Sequence, residues 1–221
     1  MKDLLNKRTV SLVLIYLLFM VTSSIIYFAS GNFTYRTIVV NLFLACVPLG
    51  FATLDRIAKQ RGKKLACVVS TLLWLAFFPN SFYMITNFIH ILHFGFDSYF
   101  VALREAVAWF ALVYMTLGIM LGVLVGVFSL DIIMRPIFKR KGRVIGAAAV
   151  IAVSLLSGYA ICIGRFLRFN SWDLLANPLS LAETLIQSFS LFTVLYSLMF
   201  AACTAFIYLM FCILKGKSGD V

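Results

Sequence analysis

Hydrophobic residues fill this chain in long blocks separated by short polar stretches. Thr9 to Ala29 is the first block, 21 residues without a charge. Crossing a bilayer as a helix takes roughly 20 apolar residues. Five further blocks of that kind follow, at about 37–54, 65–85, 106–130, 144–164 and 185–214. The pattern predicts an all-α fold, a polytopic transmembrane helix bundle of about six spans. No polar stretch is long enough for a separate soluble domain, so residues 1–221 are expected to form a single integral membrane domain. A cleaved leader has a shorter apolar core and small residues at its end. The first block ends in Tyr27-Phe28-Ala29, so a retained span is expected there.

One block turns polar in a helical rhythm: FFPNSFYMITNFIHILH, Phe77 to His93. Asn80, Tyr83, Asn87 and His90 are spaced three, four and three residues apart, which puts them on one face of an α-helix. Thr86, His93 and Asp97 flank that row. Pro79 has no N–H and crowds the carbonyl of Leu75, so a kink and a freed acceptor are expected. In a straight α-helix, His90 would lie roughly 37 Å beyond Leu65, past the ~30 Å apolar core. The stretch after Ile89 is therefore expected to be interfacial or re-entrant.

Composition agrees with a membrane class: 63% of the residues are hydrophobic and 12% charged, against about half apolar in soluble domains. A net charge of +11 would point to nucleic acid in a soluble protein. Here the charges sit in short loops beside apolar blocks, so membrane lipids, and no nucleic acid, are the expected partners. Fifteen of the 19 Lys and Arg lie at the two termini and in 55–64 and 131–143; the others are Arg36, Arg104, Arg165 and Arg168. The positive-inside rule then predicts N-in/C-in topology and sets residues 79–97 and 164–183 together on the outer side. Cys46, Cys67, Cys162, Cys203 and Cys212 all lie in apolar runs without CxxC spacing, as packing residues rather than disulfide or zinc partners.

A second polar constellation, GRFLRFNSWD, covers Gly164 to Asp173. Arg165 and Arg168 carry guanidinium forks that bind phosphate or carboxylate bidentately. Asn170, Ser171 and Asp173 add donors and acceptors, and Trp172 lies beside them. Arginine and tryptophan also anchor helices at membrane edges, but anchoring does not explain the Asn-Ser-Asp cluster. His90 and His93, the two histidines of the chain, could ligate a metal with Asp97 or Asp173. No HExxH-type motif accompanies them, so no metal and no cofactor are expected. Ser81 and Ser171 qualify as nucleophiles by type alone. Gly118, Gly122 and Gly126 form a ridge of small residues in the fourth block. Such ridges serve close packing within a bundle or association of chains, so a homo- or hetero-oligomer through these glycines is the second of two readings.

These two stretches resemble the bacterial membrane-protein family catalogued as domain of unknown function 1361. Its members are similar to this chain over most of its length. They carry Pro-Asn-x-x-Tyr-x-x-Thr-Asp-x-x-His, met here by Pro79, Asn80, Tyr83, Thr86 and His90, and Gly-Arg-Phe-Leu-Arg-x-Asn-Ser-Trp-Asp, met by Gly164 to Asp173. Asn87 stands where the family pattern has aspartate, and an amide is a poorer metal ligand and no general base. The resemblance implies a multi-pass protein of the bacterial plasma membrane and supplies no activity.

The expected function is non-enzymatic: recognition of an anionic or polar group, such as a lipid headgroup or envelope precursor, at an outer-face site. The site residues are Asn80, Tyr83, Thr86, Asn87, His90, Arg165, Arg168, Asn170, Ser171, Trp172 and Asp173. Alternatives are a membrane-edge enzyme acting on a lipid-linked substrate, with His90 as base and Asp173 as its orienter, a small transporter with Asn41 at mid-membrane, and an assembly subunit.

Overall fold

In a computed structural model, the described residues are 7–94, 105–167 and 188–216, and they are helical almost throughout, with no strand among them. Helix α1 covers Lys7–Ser30 and α2 Phe33–Gln60. The third span is composite: α3 (Lys64–Phe77), α4 (Pro79–Tyr83) and a 3₁₀ helix, Met84–Phe94. Helix α5 runs Ala106–Phe166 and α6 Leu191–Gly216. Five of these stretches are long and apolar enough to cross a membrane.

The longest of them crosses twice. At 1.5 Å per residue, 61 residues of α5 would reach about 90 Å, three bilayer cores. Gly142 breaks it with φ 87° and ψ 174°, a conformation open to glycine and closed to residues with a Cβ. Two arms result, 106–141 and 143–166. Phe138 folds back over the turn, because a Cβ on Gly146 would lie 2.3 Å from its ring. Asp131 on the first arm meets Lys215 at the end of α6, and Arg165 on the second acts electrostatically on Tyr196 near its start. The arms are therefore antiparallel, and six spans result.

Large apolar side chains face outward on every span. Leu18, Phe43, Leu72, Val113, Leu156 and Leu209 are each between 55% and 64% exposed. Water would penalise such a surface and lipid would not. This is a multi-pass membrane protein.

The core centres on the third span. Trp74, Phe78 and Phe82, four residues apart, are fully buried with ring centroids 4.9 and 5.5 Å apart. The indole N–H of Trp74 donates to Ser129 Oγ at 3.1 Å, which donates to the Gly126 carbonyl at 2.8 Å. The ridge of Gly118, Gly122 and Gly126 faces this chain's own Phe19, Met84 and Ser81; a Cβ at any of the three would come within 2.9 Å of them. The ridge thus serves close packing within one chain, and an oligomer through the same glycines would need a face that this contact already fills.

The interruption at Pro79 differs in detail from the expected kink. Helix α3 ends at Phe77, and Pro79 opens α4 at a first-turn position, where its missing N–H costs nothing. The carbonyl that gains a side-chain partner is Phe77, to which Asn80 Nδ2 donates at 3.0 Å, rather than Leu75.

Candidate functional site

Eleven residues of 3₁₀ helix are unusual, since such runs rarely exceed three or four. With three residues per turn, the face repeats strictly at i,i+3. The row becomes Met84, Asn87, His90 and His93, while Thr86 moves to the face of Tyr83, whose carbonyl accepts from its hydroxyl at 2.8 Å. The α-helical row of Tyr83, Asn87 and His90 is corrected accordingly. At about 2.0 Å per residue the segment also reaches farther than an α-helix would.

Burial along the row falls steadily. Asn87 is 1% exposed, His90 half-buried and His93 exposed. Asn87 Oδ1 accepts from Asn41 Nδ2 at 2.9 Å, and its own amide reaches the Met84 sulfur at 3.5 Å. Asn41 belongs to α2, so this bond pins the 3₁₀ segment to a second span. An unpartnered amide in lipid costs several kcal/mol, which explains why the two asparagines face each other. Asn87 therefore positions the row and is closed to a bulky ligand. Ser81 is closed too: fully buried, it donates to the Ala45 carbonyl at 2.9 Å, so it is no accessible nucleophile.

Higher up, three spans converge. The imidazole of His90 feels both His93, with ring centroids 5.5 Å apart, and Arg165 at the end of the fifth span. Arg165 also acts on Tyr196 of α6, which in turn feels Tyr83. Phe166, Phe192 and Phe200 pack around Tyr196 at 5.2, 5.9 and 4.8 Å. Among the described residues Arg165 has no carboxylate partner. A cation that acts on a histidine and a tyrosine, with an apolar wall behind, favours an anion or a polar acceptor.

Of the residues expected from the sequence, Arg165 acts on His90 and on Tyr196, and Tyr83 acts on Tyr196, with Thr86 and Asn80 on the same stretch as Tyr83. Arg168, Asn170, Ser171, Trp172 and Asp173 lie outside the described residues, as do Asp97 and Arg104. No group of three His, Cys, Asp or Glu side chains suited to a metal occurs among the described residues.

Two features escaped sequence reasoning. Tyr196 sits in a uniformly apolar block, so no local signal marks it. A cavity of about 570 Å³ opens beside His93, lined by Ser30, Asn32, Tyr35, Phe94 and Glu105. Its walls come from the α1–α2 turn, the end of the third span and the start of α5, a juxtaposition that only the fold creates.

A family described as Protein of unknown function (DUF1361) matches residues 40–211. The chain belongs to that family. The matched region holds both polar stretches and runs from Val40, within the second span, to Phe211 in the sixth. No curated protein and no solved structure matches the chain.

Proposed function

We propose that this family member recognises an anionic or polar group, such as a lipid headgroup or envelope precursor, at the outer face of the bacterial plasma membrane. Arg165 and Arg168 hold the anion, Tyr83, Asn80, Ser171 and Asn170 orient it, and Trp172 covers it. Asn87 and Thr86 set the course of the 3₁₀ helix, and Asp173 and His90 complete the polar wall. The observation that carries this reading is the electrostatic action of Arg165 on both His90 and Tyr196, which relates the third, fifth and sixth spans at one end of the bundle. The outer placement rests on the basic residues crowding the opposite end. Labelling of single cysteines in a cysteine-free background tests it: Lys64→Cys should react only from the cytoplasm and Ser30→Cys only from outside. Reversed accessibility would move the site to the cytoplasmic face.

The recognition itself is tested by mass spectrometry of species co-purifying in mild detergent. An anionic species held by wild type should be lost from Arg165→Gln. Identical profiles from correctly folded wild type and variant would overturn the reading.

A further inference from the structure

At the opposite, basic end of the bundle, α2 and α3 enclose a groove of about 310 Å³. That size lies at the lower end of ligand pockets. Leu54 and Ile57 line it from α2, Ala66 and Val69 from α3, and Arg61 and Lys63 stand at its mouth. Leu54 and Val69 are 53% and 46% exposed, so the groove opens sideways toward lipid.

The turn between the helices explains how two cations reach one mouth. Gly62 adopts φ 66°, its N–H donates to the Lys59 carbonyl at 3.3 Å, and the N–H of Lys63 donates to the Ala58 carbonyl at 3.0 Å. This is the paired bonding of a glycine-terminated helix. It reverses the chain within three residues and leaves Arg61 and Lys63 on either side of the glycine.

Position at the groove together with freedom from ion pairs singles out these two. Arg56 and Lys64 are also unpaired among the described residues but do not line it. Lys59 is tied to Asp55 at 2.5 Å, and Arg135 and Lys215 share Asp131 at 2.7 Å each. Arg61 and Lys63 have no ion pair among the described residues. Two unpaired cations above an apolar groove match one kind of occupant: an acyl chain below and a negative headgroup above.

We propose that this groove is a binding site for an anionic phospholipid of the surrounding bilayer, with an acyl chain between α2 and α3 and its phosphate on Arg61 and Lys63. The site is independent of the polar site at the other end. Each charged contact to phosphate is strong, and Arg61 can grip it with two N–H groups.

Native mass spectrometry tests the site on full-length protein from nanodiscs of equal phosphatidylglycerol and phosphatidylcholine. Wild type should carry a phosphatidylglycerol adduct in preference to phosphatidylcholine. Arg61→Gln with Lys63→Gln should lower it at least ten-fold, and Val69→Trp, which fills the groove and keeps both cations, should do the same. Lys139→Gln with Arg140→Gln, two exposed cations of the same end, should leave it unchanged. An adduct that survives both groove variants, or that falls equally with Lys139→Gln and Arg140→Gln, would overturn the proposal.

Discussion

The first four spans are tied by several buried polar bonds as well as by the glycine ridge, and the last two chiefly by close backbone approach, with a long polar contact, Tyr159 to Ser188 at 3.4 Å. In the first group, buried polar side chains bond across helices. The Tyr16 hydroxyl donates to the Leu42 carbonyl, Asn41 meets Asn87 at 2.9 Å, Ser81 reaches Ala45 at 2.9 Å, and Tyr114 lies 2.7 Å from Ser23. In the second group, the last arm of α5 approaches α6 so closely that a Cβ on Gly158 would lie 2.2 Å from the Ser197 carbonyl oxygen. Three buried hydroxyls there, on Ser154, Ser157 and Thr204, find no partner among the described residues. Polar bonds fix register and orientation, whereas small residues fix only distance. The proposed site lies on the seam, with Tyr83 and His90 from the first group and Arg165 and Tyr196 from the second.

Breaking the close approach should have the largest effect. Gly158→Ala forces α6 away along its backbone, at the upper end of the roughly 1–3 kcal/mol usual for overpacking. A thermal-shift assay in detergent should show it far less stable than Gly118→Ala, whose new methyl meets the movable edge of the Phe19 ring at 2.9 Å. Equal stability of the two would mean that the last two spans are not held by backbone contact.

Acidic residues sharpen the contrast next. Asp55 is 1% exposed and takes Lys59 at 2.5 Å and Thr71 at 3.1 Å, joining α2 to α3. Asp131 binds the exposed heads of Arg135 and Lys215. Asp55→Asn should cost about 1.5–3 kcal/mol, the range for hydrogen bonds to a charged group, because the buried carboxylate is lost while the Lys59 head still reaches water. Asp131→Asn should cost less than about 1 kcal/mol, the usual range for exposed pairs. A greater loss from Asp131→Asn would make its bridge between α5 and α6 the stronger clamp, contrary to the comparison.

Smaller changes come from the membrane-buried hydroxyl and amide groups. Asn87→Leu strands the Asn41 amide and should destabilise by about 0.6–2 kcal/mol, the range for polar contacts between membrane helices. Ser157→Ala removes an unpartnered hydroxyl and should be neutral or slightly stabilising. A clear loss with Ser157→Ala would show that this hydroxyl holds something in the membrane.

Much of this contrast was legible in the sequence, for identifiable reasons. Span number followed from the apolar blocks, because bilayer thickness sets their length. Pro79 marked the break in the third span, because a proline favours the first turn of a helix over its interior, although Pro48 and Pro136 lie within continuous helices. The row of Asn80, Tyr83, Asn87 and His90, with His93 on its flank, was visible as polar, yet its phase was not. A spacing of three suits both α and 3₁₀ geometry, and the choice between them follows from packing against α2 and α5. The fourth span outran its apolar block because the basic residues up to Lys141 remain good helix formers, and only Gly142 ends the arm. Asp55 and Lys59 have the spacing of a helical ion pair, but nothing in the sequence marks Thr71, since that contact depends on how two spans align. The pairing of Asn41 with Asn87 is of the same kind: each residue stood out, and their meeting did not.

The proposed site on the seam is tested most directly by exchanging one arginine there for lysine and repeating the exchange at the basic end. Lysine keeps the charge and loses the planar fork. A charge-assisted hydrogen bond contributes roughly 1.5–3 kcal/mol, so its loss weakens binding about ten- to a hundred-fold. Quantitative mass spectrometry of the anionic species retained through purification should therefore show at least a ten-fold drop for Arg165→Lys and none for Arg135→Lys, with both variants as stable as wild type. Full retention by Arg165→Lys, or an equal drop in both, would contradict a ligand-gripping arginine on the seam and leave Arg165 as a membrane anchor.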